Sequence, residues 1–217
     1  MFRTVCAIAA FIALSAPRAT AAGYKVESAG PCSLPEVSDA MKQALMDAGL
    51  RVVGDNGTLA EIWMRKVVPL KAGNTAAYGS IGNGVFVGVI RVPTRGGDYR
   101  GQVLKPGVYA MRYQAMPADG NHMGVSPTPD YFVLTPAGAD TNPDSVVGYD
   151  ELMNLSRKAS GTNHPVPLHL VEPRKQGEAG FATEDHHWFL EGKTKASSGS
   201  GELDFPFAVI LIGKGEA

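Results

Sequence analysis

Cysteine is nearly absent from this chain. Its 217 residues include two, Cys6 and Cys32, and Cys6 falls in a leader-like segment, so no disulfide framework can staple the fold. Stability has to come from packing. Also missing is any apolar run of the roughly 18 residues that a membrane-crossing helix requires. Neither charge sign dominates, with 20 Lys and Arg against 21 Asp and Glu. No basic cluster is available to follow a phosphate backbone, which removes nucleic acid from the expected partners. The short signatures of common chemistries are absent too: there is no H-E-x-x-H, C-x-x-C or H-x-H for a metal, and no G-x-S-x-G for an α/β-hydrolase nucleophile.

What is present begins with an address. Arg3 precedes an apolar run over 5–16, and Ala19-Thr20-Ala21 fits the A-x-A rule for cleavage near Ala22. We therefore expect a secretory signal peptide over 1–22, a secreted or periplasmic location, and no membrane span once the leader is removed. Neither cysteine has the setting of a lipoprotein signal, because Cys6 sits inside the apolar run and Cys32 follows Pro31. Cleavage takes Arg3 and Arg18 with it, leaving 18 basic against 21 acidic residues and Cys32 as a lone thiol, expected to be buried. The remaining 23–217 is long enough for a single domain with a sizeable core.

One segment near the start of that domain has helical spacing. In "SLPEVSDAMKQALMDAGL", Ser33 and Glu36 stand at capping-box distance, and Val37, Met41, Ala44, Leu45 and Ala48 recur on one face before Gly49. This predicts a helix at about 34–48. The period then changes to two. Segments 60–69, 85–93, 107–116, 131–136, 166–173, 186–192 and 207–213 are short, β-branched or aromatic, and closed mostly by Pro or Gly. In the third, Tyr109, Met111 and Tyr113 share one face while Arg112 and Gln114 share the other. A second helix is expected at about 145–159, with Gly161 just past its end. The fold class that follows is mainly β: a single-domain β-sandwich with one or two peripheral α-helices.

Several constellations invite chemistry. In "DTNPDSVVGYDE" Asp140, Asn142, Asp144 and Glu151 occupy four positions of a calcium-loop pattern, although Ser145 stands where that pattern has glycine. The competing reading is a helix N-terminus, with Asn142 as cap, Pro143 in the first turn and the acids at the positive end. Five histidines (His122, His164, His169, His186, His187) have no local metal-ligand spacing. A transition-metal site would have to be assembled from different loops, for instance His122 with His164. Ser156, Lys158, Ser160 and His164 form a catalytic-looking inventory that a helix C-terminus explains equally. In "GGDYRG" (96–101) Arg100 could face an anion. The rings Trp63, Tyr109, Tyr113, Tyr131, Trp188 and Phe189 would stack on sugar only if they faced solvent.

Taken together, "LAEIWMRKVVP", "DYRGQVLKPGVYAMRYQAMPADGNHMGVSPTPDYFVLTPAGAD" and "LSRKASGTNHP" resemble a group of uncharacterised secreted bacterial proteins, over about 60–165. That group has no established activity, so the resemblance implies export and one domain and transfers no catalytic residue. The expectation is an exported binding or scaffold module for a small molecule or glycan, with Arg100, His122, Asp130 and His164 as candidate ligand-binding residues. Two alternatives stand beside it. One is a metal-assisted hydrolase with His122 and His164 at the metal and Asp130 as base. The other is a carbohydrate-binding module stabilised by Ca²⁺ at Asp140, Asn142, Asp144 and Glu151.

Overall fold

Alternating side chains build most of this chain into strands. The computed structural model describes residues 23–71, 75–97, 99, 101, 103–117, 126–174, 179–184, 187–199 and 201–213. The expected leader at 1–22 lies outside the described residues, as do Arg100, His122 and His186. In chain order the elements are β1 (Tyr24–Gly30), α1 (Asp39–Ala44), β2 (Gly49–Gly54), β3 (Gly57–Met64), β4 (Val67–Pro69), β5 (Phe86–Val92) and the short β6 (Gly96–Gly97) and β7 (Val103–Leu104). They continue with β8 (Gly107–Ala115), β9 (Asp130–Pro136), α2 (Tyr149–Ser160), β10 (Pro167–His169), β11 (Gly180–Glu184), β12 (His187–Ser197) and β13 (Glu202–Ile212).

A large antiparallel sheet runs β1-β2-β3-β5-β8-β9-β10, and a second runs β11-β12-β13, with β4 parallel to the far half of β12. The chain is thus mainly β, a sandwich-like single domain carrying two helices among the described residues. The layers are joined at two corners. Between β3 and β4, Arg65 N–H donates to Val87 of the large sheet while Lys66 C=O accepts from Lys195 of the second. Just past β10, Leu170 bridges Val209 of β13, and Val171 N–H donates to Ala208.

Ile62, Ile90, Met111, Tyr113 and Phe132 of the large sheet meet Leu190, Phe205, Phe207 and Val209 of the second to form the main core. Each such fully buried side chain stabilises the fold by about 1.5–3 kcal/mol. The outer face of the large sheet is covered as well. Trp63, Phe86, Val89 and Ala110 lie beneath Cys32, Val37, Met41 and Leu45, while Tyr131 and Val133 lie beneath Leu152 and Met153 of α2. Burial pushes the Cys32 thiol up from its ordinary range. The aromatic stripe is core rather than a sugar platform: Trp63, Tyr109, Tyr113, Tyr131 and Phe189 are all buried, and half-buried Trp188 packs on Tyr24 and Phe181.

The first helix is shorter than its spacing suggests. Ser38, not Ser33, is the cap, its hydroxyl accepting from Met41 N–H, and the chain is already extended at Leu45. It has to be, because Leu45 bridges Arg65 and Met46 N–H donates to Met64. Gly49 does not stop the helix; it opens β2, where a Cβ would stand 2.4 Å from Trp63 Nε1. The apolar positions were nevertheless read on the correct side, since Val37, Met41 and Leu45 are all buried. The second helix starts later than 145 and ends at Gly161, whose left-handed backbone (φ 69°) directs its N–H to Arg157 C=O.

Candidate functional site

β8 turns Tyr109, Met111 and Tyr113 inward, and Arg112 points outward with Val108, Ala110 and Gln114 as alternation requires. A second layer covers it there. Its guanidinium is fully buried and makes a two-pronged pair with Asp140, Nε to Oδ2 at 2.7 Å and Nη2 to Oδ1 at 2.6 Å. Its remaining N–H groups reach backbone carbonyls: Nη1 donates to Gly84 and Ser145, both at 2.7 Å, and Nη2 to Asn142 at 2.9 Å. Thr135 adds a hydroxyl to Asp140 Oδ2 at 2.8 Å. From the other side Arg65 donates to Pro143 C=O at 2.5 Å and to Asp144 Oδ1 at 2.7 Å. Two arginines therefore hold residues 140–145 against the sheet.

This arrangement departs from both readings of the Asp140 segment. The four oxygen-bearing residues of the calcium-loop pattern do not converge on one point. Asp140 is occupied by Arg112 and Thr135, and Asp144 turns out to Arg65. Asn142 Oδ1 accepts from Asp144 N–H, and Glu151 is an exposed residue of α2. Nor is Asn142 the cap of α2. That position belongs to Gly148, which has no side chain to offer.

The pinned segment leads straight into an apolar ridge. Val146 (68% exposed) and Tyr149 (49%) are the large hydrophobic side chains most open to solvent among the described residues. A groove lies on each side of Val146. One, of about 400 Å³, is lined by Arg65, Leu70, Lys71, Val85 and Pro143. The other, of about 410 Å³, is lined by Asn83, Gln114, Met116, Pro117, Val147 and Tyr149. Gly84 ties the ridge backbone to β8, its N–H donating to Tyr113 C=O and its C=O accepting from Val147 N–H. The result is a ridge-and-groove surface whose backbone is immobilised from below.

The other sequence candidates are dispersed. Asp130 accepts a 2.5 Å hydrogen bond from the Tyr113 hydroxyl, and burial, then that carboxylate, pushes the phenol well above its usual range. His164 is exposed beyond the end of α2, where its carbonyl accepts from Ser160 Oγ at 2.7 Å. The antiparallel register sets these two at opposite ends of the β9–β10 pair: His169 faces Tyr131 at the Asp130 end, whereas Val166, two residues after His164, accepts from Leu134 at the other. They do not form a site together. Among the described residues no group of three His, Cys, Asp or Glu converges as a metal site would need. Ser156 and Ser160, from the catalytic-looking inventory, tie the helix end to the following chain.

Sequence reading missed one contact set altogether. His169 Nδ1 lies 2.7 Å from Ser126 Oγ, and the Tyr99 ring packs on both His169 and His187, with centroids 5.1 and 4.8 Å apart. At 2% exposure His169 is a packed member of the sheet edge. No spacing rule joins Tyr99, Ser126, His169 and His187, so no local signal could have assembled them. Arg112 and Asp140 were equally out of reach, since an arginine alternating outward on a strand carries no mark of the layer above it.

No family model matches the chain, and neither the curated proteins nor the solved structures include a significant match to it.

Proposed function

We propose that the chain is an exported binding module whose ligand surface is the Val146–Tyr149 ridge with its two flanking grooves. The observation that carries this reading is an exposed apolar ridge built on a loop that a buried ion pair holds still. Exposed apolar groups gathered beside concave surface are the usual mark of a recognition site. A buried Arg–Asp pair is a poor route to stability, since well-packed apolar residues often do as well or better. Its effect here is to fix the loop before any ligand arrives, which lowers the ordering cost of binding. Export is supported by the basic, apolar and A-x-A pattern of residues 1–22.

The test uses 8-anilinonaphthalene-1-sulfonate as an apolar probe of the native protein, with backbone amide shifts as the readout. Saturable shifts confined to 83–84, 114–117 and 146–149 are expected, and Val146→Asp should weaken the probe at least fivefold. Shifts scattered over the molecule, or unaffected by Val146→Asp, would remove the ridge from consideration. Export has a separate check. The N-terminus of protein recovered from the periplasm or the medium should begin near Ala22, and an intact Met1 would contradict it.

A further inference from the structure

We infer that the occupant of this surface is an extended, acidic polypeptide segment that crosses the Val146 ridge. Its peptide groups bond to Asn83 and Gln114 in one groove, and a carboxylate is held at Lys71 in the other. The inference rests on the binding reading above and adds the class of ligand.

The first support is a pair of side-chain amides in an otherwise apolar groove. Gln114, 4% exposed, donates through Nε2 to Ala115 C=O at 2.9 Å, and Asn83 Oδ1 accepts from Ala115 N–H at 3.0 Å. Ala115 thereby fixes both amides the right way round, because a carbonyl takes only the nitrogen and an N–H only the oxygen. Among the described residues no donor reaches Gln114 Oε1 and no acceptor reaches Asn83 Nδ2. Both residues line the same groove. One vacant acceptor and one vacant donor match the N–H and C=O of a peptide group. A hydrocarbon chain in that groove would leave both unmet.

Charge is the second support. Of the two cations lining the groove across the ridge, Arg65 is committed to Pro143 and Asp144. Lys71 is exposed and touches only a carbonyl, that of Gly79, at 3.1 Å; no carboxylate pairs with it among the described residues. With Asp144 the single acid on that rim, the groove carries a surplus positive charge. It favours a partner bearing a carboxylate. Both grooves share Val146, so a ligand using both must pass over it. A strand-like probe of about six residues is roughly 20 Å long when extended.

The experiment uses the full chain and fluorescence anisotropy of two fluorescein-labelled hexapeptides, one alternating valine and glutamate and the other with lysine for glutamate, alongside the anilinonaphthalene probe with decanoate as its competitor. The acidic peptide should saturate and bind at least tenfold more tightly than the basic one. Lys71→Glu should weaken the acidic peptide at least fivefold, and Gln114→Leu should weaken it while leaving the anilinonaphthalene probe in place. Equal affinity for the two peptides, or indifference to Lys71→Glu, overturns the inference. Displacement of the anilinonaphthalene probe by decanoate, without saturable peptide binding, overturns the peptide class and leaves the binding surface standing. Failure of every probe removes the binding reading as well.

Discussion

Arg112 and Asp140 meet side-on beneath the outer layer of the large sheet, Nε and Nη2 making two hydrogen bonds of 2.7 and 2.6 Å between groups that are both buried. Removing either partner leaves the other as an uncompensated buried charge. Arg112→Met and Asp140→Leu, each alone, should cost about 3–5 kcal/mol in urea unfolding, whereas the pair of substitutions together should recover most of that loss. The double variant should still lose the anilinonaphthalene site, because Gly84, Asn142 and Ser145 would no longer be tethered. Single variants costing under about 1 kcal/mol would show that the pair does not organise the loop.

Calcium should be without effect on stability. A functioning loop with a Kd of about 10 µM would raise stability by about 2.7 kcal/mol at 1 mM calcium. With Asp140 committed to Arg112, and Asp144 to Arg65, the remaining oxygens do not form a cage. Thermal melts with 1 mM calcium and with chelator should superimpose, and a rise of several degrees with calcium would restore the loop reading.

What could be read from the letters was the part of the fold set by short-range rhythm. β5, β8 and β9 are short runs rich in β-branched and aromatic residues, and their extents were close to those observed. β1, β2 and β11 were missed, as were the two-residue β6 and β7. "GLRVVG" is short and framed by glycine, and "GFATE" has a single large apolar residue. Burial was legible even where helix length was not, since Val37, Met41 and Leu45 keep their apolar register through one helical turn and the chain on either side. The site was illegible for a different reason. Its parts come from β4, the 82–85 turn, the end of β8 and the 143–149 loop, and only folding brings these together.

Acid should weaken the fold partly through Glu61. This residue lies in β3 between Arg51 of β2 and Arg91 of β5, each 2.7 Å from one carboxylate oxygen, in direct cross-strand register. Burial alone would raise its pKa, but the guanidiniums of Arg91 and Arg51 outweigh it and hold the carboxyl below the usual 4.5. With the folded value depressed, its contribution is complete above the unfolded pKa and is lost as pH falls through the folded one. Glu61→Gln should cost on the order of 1–2 kcal/mol at pH 7. The gap from wild type should shrink as pH drops from 5 toward 3. A gap constant over that range would show that the carboxylate is not held by its arginines.

Gly84 is where the ridge is most vulnerable to a single methyl group. Its backbone is left-handed, φ 78°, and a Cβ there would stand 2.0 Å from Val147 O and 3.0 Å from Val147 N. The left-handed conformation alone costs a non-glycine residue about 1–2 kcal/mol. The clash adds to that, because its partner is backbone and cannot rotate aside. Relief requires the 145–148 segment to lift, which pulls Ser145 C=O away from Arg112 and Val147 N–H away from Gly84. Gly84→Ala should therefore lose about 3 kcal/mol or more and abolish anilinonaphthalene binding at the ridge. Gly138→Ala is the matched control, since nothing lies within 4 Å of its Cβ, and it should change stability by less than about 0.5 kcal/mol. If Gly84→Ala kept both its melting point and its probe site, the ridge would not depend on the tether beneath it, and the case for a preorganised binding surface would fall with that result.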